Sequence, residues 1–138
     1  DINMIDESVG ERGRWTYAYK EMLDAGIAVL LSSDAPVCDP SPLVGIHAAV
    51  TRQRRDGTPA GGWYPEQRIS VADALRGYTT VPAAFYGQAR NMGSLTPGKW
   101  ADMIVLDRDI FQVDPMEIAD ARVEMTVFDG RIVYQCDP

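Results

Sequence analysis

A continuous apolar run covers residues 27–31 and is followed by two serines and Asp34. A short run without alternation is typical of a strand buried on both faces, as in parallel sheets that helices cover. In such folds, side chains converge at the carboxyl ends of the strands, where active sites lie. The pattern therefore predicts a strand that presents Asp34 at an open crevice and that ends at Pro36. An Asp in this position also caps turns and helices, so a structural role for Asp34 stays open.

Helical periodicity precedes this run. Residues from Gly10 to Ala25 place apolar side chains at helical spacing, with charged residues on the other faces. This pattern predicts one amphipathic helix, and Gly26 is suited to close it. Residues 2–5 are apolar enough only for the short remnant of a strand.

Two further helices are predicted downstream of the run. Ser41 followed by Pro42 is typical of a helix start, and an apolar face continues from there through about Gln53. Ser70, with an Asp three residues later, forms an acidic capping box that predicts a helix ending near Thr79.

The last third of the chain changes to β character. The dipeptide Pro97-Gly98 has the order that a type II turn requires, and the apolar segment 101–107 follows it. The segments 123–128 and 131–135 flank Asp129-Gly130, which is a strong signal for a hairpin. Three such strands make only a fragment of a sheet.

Residues 55–68 are rich in glycine and proline and predict a long loop that carries Trp63 and Tyr64. The aromatic pair either forms a lid over a cleft, in which case Trp63 contacts substrate, or pins the loop to the core. His47 lies next to the apolar face of its predicted helix. It is expected to be a partly buried packing residue, or otherwise a substrate contact.

Composition narrows the range of functions. The chain has 138 residues, 46% of them apolar and 24% charged, which is typical of one soluble globular domain. Its net charge of −7 argues against nucleic acid as a partner. The arginines at 52, 54 and 55 are expected to form a solvated helix end rather than a binding surface. The sequence has no apolar run long enough to span a membrane and no signal peptide at its start. Its two cysteines lie far apart, so we expect a cytoplasmic protein with two free thiols, and a disulfide between them is the alternative.

His47 is the single histidine of the chain. A metal site in a hydrolase usually needs several imidazoles, so any metal chemistry would need ligands from outside this chain.

Taken together in order, several motifs resemble the C-terminal third of metal-dependent hydrolases of the amidohydrolase superfamily, with amidohydrolase family three as the nearest branch. The resemblance covers essentially all of the chain, and its most specific part is the stretch GSLTPGKWADMIVLD at residues 93–107. The motifs that carry it are residues 26–37, 39–43, 49–52, 69–75, 78–79, 93–107, 126–127 and 130–134.

The resemblance implies an α/β fold: the last helix and strand units of a (β/α)8 barrel over residues 1–90, and the C-terminal strands of a small composite β domain over residues 91–138. Asp34 matches the Asp that, in this family, holds a divalent metal and moves a proton to or from the attacking water. Pro36, His47 and Trp63 are the candidate substrate contacts. The metal implied for the full-length protein is zinc, and its substrate is a small molecule with a carbon–nitrogen bond.

The other ligands of that family, a His-x-His, a carboxylated Lys or Glu and two further His, are not found in this sequence. We therefore expect the isolated chain to be inactive and to bind metal weakly or not at all. A competing hypothesis is a non-catalytic interaction module that associates through exposed strands, and both hypotheses are compatible with a homo-oligomer.

Overall fold

The computed structural model of the chain describes residues 2–137. Short helices occupy the first two thirds and a small sheet the last third. In chain order the elements are α1 Ile2–Val9, a 3-10 helix Gly10–Trp15, α2 Tyr19–Asp24, α3 Pro42–Thr51, a 3-10 helix Pro65–Gln67, α4 Val71–Tyr78, α5 Thr80–Phe85, β1 Met103–Leu106, a 3-10 helix Pro115–Asp120, β2 Val123–Phe128 and β3 Arg131–Gln135.

Helix α3 is the centre of the core. It packs against α4 and against the 3-10 helix Pro115–Asp120. Leu43 and Ile46 of α3 share one buried cluster with Ala74 of α4 and with Ile118. Burial of these aliphatic side chains is the main favourable term that holds the helices together.

Both predicted helix starts are confirmed. Ser41 occupies the N-cap position of α3 with Pro42 directly after it, although its side chain makes no capping bond. At α4, the backbone N–H of Asp73 donates to the Ser70 hydroxyl oxygen at 3.0 Å. Helix α3 ends at Thr51, earlier than expected, because Arg52 adopts the left-handed conformation with a φ of 58°.

The sheet is antiparallel in the order β1-β2-β3. The predicted hairpin is confirmed, with positive φ angles of 50° at Asp129 and 72° at Gly130 that match a type I′ turn. The predicted type II turn is confirmed too, since Gly98 has a φ of 92° and the N–H of Lys99 donates to the carbonyl of Thr96 at 3.2 Å.

The predicted strand at residues 27–31 is not a strand in the structure. Within residues 2–137, no strand lies beside it, and strand geometry requires hydrogen bonds to a neighbouring strand. Helix α4 lies there instead, and its Gly77 carbonyl accepts a hydrogen bond from the N–H of Leu31 at 3.0 Å. Val29 is buried, whereas Ile27 and Leu30 stay exposed, so the run is covered on one side only.

The single helix predicted for residues 10–25 is wrong as well. The chain forms the 3-10 helix Gly10–Trp15 and then α2, with a break at Tyr17, whose φ is 54°. The carbonyls of Thr16 and Tyr17 accept hydrogen bonds from the side chain of Arg52, and the Tyr17 carbonyl also accepts one from the N–H of Tyr19 at 2.8 Å. Gly26 follows α2 with a φ of 75°, as expected for the residue that closes a helix. Residues 2–5 belong to α1 rather than to a strand.

None of the helices in the described part of the chain has the length and apolar character needed to cross a membrane.

Asp107 joins the end of β1 to the residue that precedes β2. Its carboxylate accepts two hydrogen bonds at 3.0 Å from the guanidinium of Arg108 and one at 2.9 Å from the backbone N–H of Arg122. Its own N–H donates to the carbonyl of Arg122 at 2.9 Å. The bonds from Arg108 and then from Arg122 lower the pKa of the Asp107 carboxyl below its ordinary value.

This arrangement predicts a dependence of stability on pH. Because the pKa of Asp107 is lower in the folded chain, its carboxylate stabilises the fold above the unfolded pKa of about 4, and this contribution is lost as the pH falls from there. Asp107→Asn is therefore expected to unfold at lower urea than the wild type at neutral pH, with a difference that shrinks below about pH 4. Glu7→Gln, which alters an exposed acid on α1, is the control. A constant difference across a pH series of urea unfolding curves would contradict this role.

Candidate functional site

Asp34 and Pro36 lie together in a tight turn that precedes α3. Asp34 has a φ of 53°, its N–H donates to the Ser32 hydroxyl oxygen at 3.2 Å, and its carbonyl accepts from the N–H of Val37 at 2.9 Å. Both Asp34 and Pro36 are exposed. The backbone of the turn is therefore fixed by its own hydrogen bonds, while the carboxylate of Asp34 is accessible from solvent.

His47 is more deeply buried than expected, with 1% of its surface exposed. Its Nδ1 lies 3.1 Å from the carbonyl oxygen of Pro115, which only accepts hydrogen bonds, so Nδ1 carries the proton of this bond. Nε2 is buried and has no hydrogen-bond partner within residues 2–137. His47 thus ties α3 to the 3-10 helix Pro115–Asp120.

Trp63 is a packed side chain in this structure, with 9% of its surface exposed. Its Nε1–H donates to the Asp6 carboxylate at 3.0 and 3.3 Å, and its backbone N–H donates to the Arg52 carbonyl at 2.8 Å. Tyr64 meets its ring edge-on at 4.7 Å between centroids. These contacts support the hypothesis that Trp63 pins the loop.

Arg52 corrects the expectation of a solvated helix end, because only 7% of it is exposed. Its guanidinium lies over the Trp63 ring at 4.9 Å and donates to the carbonyls of Trp63, Tyr17 and Thr16 at 3.0, 3.1 and 3.4 Å. Burial lowers the pKa of the Arg52 guanidinium. No local sequence pattern predicts this role, because the three carbonyls lie 11 to 36 positions from Arg52.

Arg54 and Arg55 are exposed, as predicted. Arg54 donates to the side-chain oxygen of Asn3 at 2.9 Å, and Arg55 forms an ion pair with Asp120.

A cavity of about 300 Å³ opens between α1, α3 and the loop that follows α3. Two of the candidate substrate contacts, His47 and Trp63, line it, whereas Asp34 and Pro36 do not. The structure thus separates the four candidates into two pairs. A second cavity, of about 250 Å³, lies at β1–β3 and contains none of them.

A complete metal site is not formed by the described residues. Residues 2–137 bring together no group of three or more His, Cys, Asp or Glu side chains that could hold an ion. Asp34 fits as a source of one carboxylate ligand, and a divalent metal needs several more.

The stability of a Trp63 variant distinguishes the two hypotheses, that Trp63 pins the loop to the core or that it is part of a lid over a cleft. Trp63→Ala removes a buried aromatic ring, so a pinning role predicts a loss of about 3 kcal/mol in the free energy of unfolding, measured with urea. Trp100→Ala, at an exposed tryptophan, is the control and should change stability little. An unchanged unfolding curve for Trp63→Ala would favour the lid.

Comparisons with known proteins identify longer relatives of the chain. The chain is 30% identical to the putative amidohydrolase YtcJ of Bacillus subtilis over 132 residues. This alignment covers 96% of the chain and 25% of that protein. It is 35% identical over 119 residues to an N-substituted formamide deformylase of Arthrobacter pascens, covering 86% of the chain and 21% of that protein. The chain therefore spans about a quarter of the length of these relatives.

A solved structure shares the fold. The amidohydrolase from Thermotoga maritima MSB8 superposes with a TM-score of 0.63 over 87% of this chain and 26% of that protein, at 22% identity. A sequence model described as the amidohydrolase family matches residues 1–134. Since this match covers nearly the whole chain, the chain belongs to the amidohydrolase family.

Proposed function

We propose that this chain is the C-terminal part of a longer metal-dependent hydrolase that cleaves carbon–nitrogen bonds other than peptide bonds. The observation that carries the proposal is the family match over residues 1–134, together with relatives about four times as long. In this proposal, residues 1–90 contribute the last units of a (β/α)8 barrel, and residues 91–138 the C-terminal strands of a small composite β domain. The substrate is a small molecule, in keeping with the relative named as a deformylase of N-substituted formamides.

Asp34 is the residue of this chain that serves the reaction. Its exposed carboxylate accepts the proton of the attacking water and transfers it to the leaving amine. The tight turn supports this role, because the bonds to Ser32 and Val37 fix the backbone and leave the carboxylate free to move a proton.

Asp34 also supplies one ligand to a divalent metal, for which we propose zinc. When bound, the metal lowers the pKa of a coordinated water towards neutrality and so makes it a nucleophile. The remaining ligands come from the rest of the longer protein, since the described residues form no complete site. For this reason we propose that the isolated chain is inactive.

The proposed role of Asp34 predicts that turnover is lost when its carboxylate is replaced by a neutral amide. In the longer protein, Asp34→Asn keeps the shape of the side chain and removes the base, so kcat is expected to fall by roughly 100-fold or more with little change in unfolding temperature. The matched control is Asp39→Asn, an exposed Asp in the same loop whose carboxylate accepts a hydrogen bond from the N–H of Ser41, which Asn also accepts. Unchanged turnover in Asp34→Asn, measured on a formamide substrate with zinc, would refute the role.

A second candidate function is a non-catalytic module that associates through its exposed strands, as a homo-oligomer. The observation that favours it is the sheet, in which β1 and β3 are both edge strands and β3 is exposed along its whole length. Ile104 of β1 and Val133 of β3 are about half exposed, and unprotected apolar edges pair with other chains.

This candidate predicts self-association of the isolated chain. The molar mass measured by light scattering after gel filtration should rise with protein concentration, and Ile104→Lys combined with Val133→Lys should abolish that rise, because charges on edge strands oppose pairing. A Lys substitution at exposed Val37, outside the sheet, is the control. A monomer at every concentration would exclude the module.

A further inference from the structure

The cavity between α1, α3 and the loop that follows α3 is lined by basic residues, although the whole chain has more acidic than basic residues. The chain carries 20 acidic and 13 basic residues. Among residues 2–137, the lining of the cavity nevertheless includes Arg52, Arg54 and Arg55 and no Asp or Glu. On a chain with an acidic excess, such a lining favours an anionic occupant.

The rest of the lining is mostly apolar. Ile2 and Ile5 of α1 form one wall, and Val44 of α3 lies on another. The Trp63 ring adds a flat aromatic surface. A volume of about 300 Å³ is at the small end of the range for ligand sites, which usually combine apolar walls with a few polar groups.

Arg52 is the polar group that is built into this cavity. Arg52 as a residue is buried, and within residues 2–137 its hydrogen bonds go to backbone carbonyls, with no carboxylate in ion-pair contact. Removing a cation from water is costly unless an opposite charge accompanies it. An anion that enters the cavity would lower that cost, and the Trp63 ring that stacks on Arg52 would contact its apolar body.

Neighbouring acids do not replace such an anion. The Asp6 carboxylate is committed to the Trp63 Nε1–H. Glu66 is exposed, and its negative charge raises the pKa of Arg52. This effect is smaller than that of burial, which lowers the pKa of Arg52. Arg55 is already paired with Asp120, so Arg52 and Arg54 are the cations of the lining without an ion pair in the described chain.

We propose that this cavity is a binding site for a small organic anion with an apolar body, of the aromatic carboxylate class. The carboxylate would lie between Arg52 and Arg54, and the ring would lie against Trp63 and the two isoleucines. His47, whose Nε2 has no hydrogen-bond partner in the described part of the chain, lies in the same lining. The site does not rest on the proposed hydrolase activity, because each of these groups belongs to the described chain.

Benzoate and its neutral analogue benzamide test the site directly on the 138-residue chain. Titration followed by amide NMR is expected to give saturable shifts with benzoate at the amides of residues 52–55 and 63. Benzamide should bind at least about tenfold more weakly, since a hydrogen bond to a charged group contributes about 1.5–3 kcal/mol. Equal affinity for the two probes, or shifts with benzoate that do not saturate or lie elsewhere, would overturn the proposal.

Variants separate the site from general charge effects. Arg52→Met and Arg54→Met should each weaken benzoate by about fivefold or more, whereas Arg90→Met, at an exposed arginine outside the lining, should leave it unchanged. Because Arg52 also holds three carbonyls, its variant is interpreted only if its NMR spectrum stays dispersed. Ala48→Leu keeps every charge and fills the cavity from an exposed position on α3, so it should abolish binding with the fold intact. Retained affinity in folded Ala48→Leu would also overturn the proposal.

Discussion

The buried guanidinium of Arg52 is the interaction on which the arrangement of the helical part depends. It donates to carbonyls on both sides of the core, at Thr16 and Tyr17 before α2 and at Trp63 after α3. Trp63 continues the link to α1 through Asp6. One side chain therefore holds together three segments that share no regular secondary structure, in place of the sheet that usually organises an α/β domain.

Burial of the Arg52 charge costs desolvation free energy, and the groups around Arg52 offset part of this cost. A buried charge needs hydrogen bonds or a counter-charge, and here carbonyl dipoles and the face of an indole ring supply part of the compensation. At the break between the 3-10 helix Gly10–Trp15 and α2, the carbonyls of Thr16 and Tyr17 accept hydrogen bonds from the guanidinium. The lining of the cavity beside Arg52 includes two further arginines, Arg54 and Arg55.

The C-terminal sheet combines a defined strand register with little burial of its side chains. Its register is well defined by a type I′ hairpin and by the Asp107 hydrogen bonds, yet its apolar side chains remain largely exposed. Local turn chemistry sets the pairing of β2 with β3, whereas β1 pairs with β2 across residues 107–122, and burial on either face requires another layer. The relatives are about four times longer than this chain, which agrees with our proposal that the longer protein provides such a layer.

Sequence alone determined the local features. Pro97-Gly98, Asp129-Gly130, Ser41-Pro42 and Ser70 each appear in the structure where their backbone preferences predict, because each acts over two to four neighbouring residues. The family was also evident from the order of the motifs, and the match over residues 1–134 confirms it.

Tertiary structure decided what depends on distant partners. The apolar run 27–31 has the composition of a strand, but strand geometry needs a neighbouring strand, and α4 lies beside it instead. Arg52 looked like a solvated helix end because its carbonyl partners lie 11 to 36 positions away. The separation of Asp34 and Pro36 from His47 and Trp63 has the same origin. Side-chain type predicts which residues can do chemistry, and only packing decides which of them share a cavity.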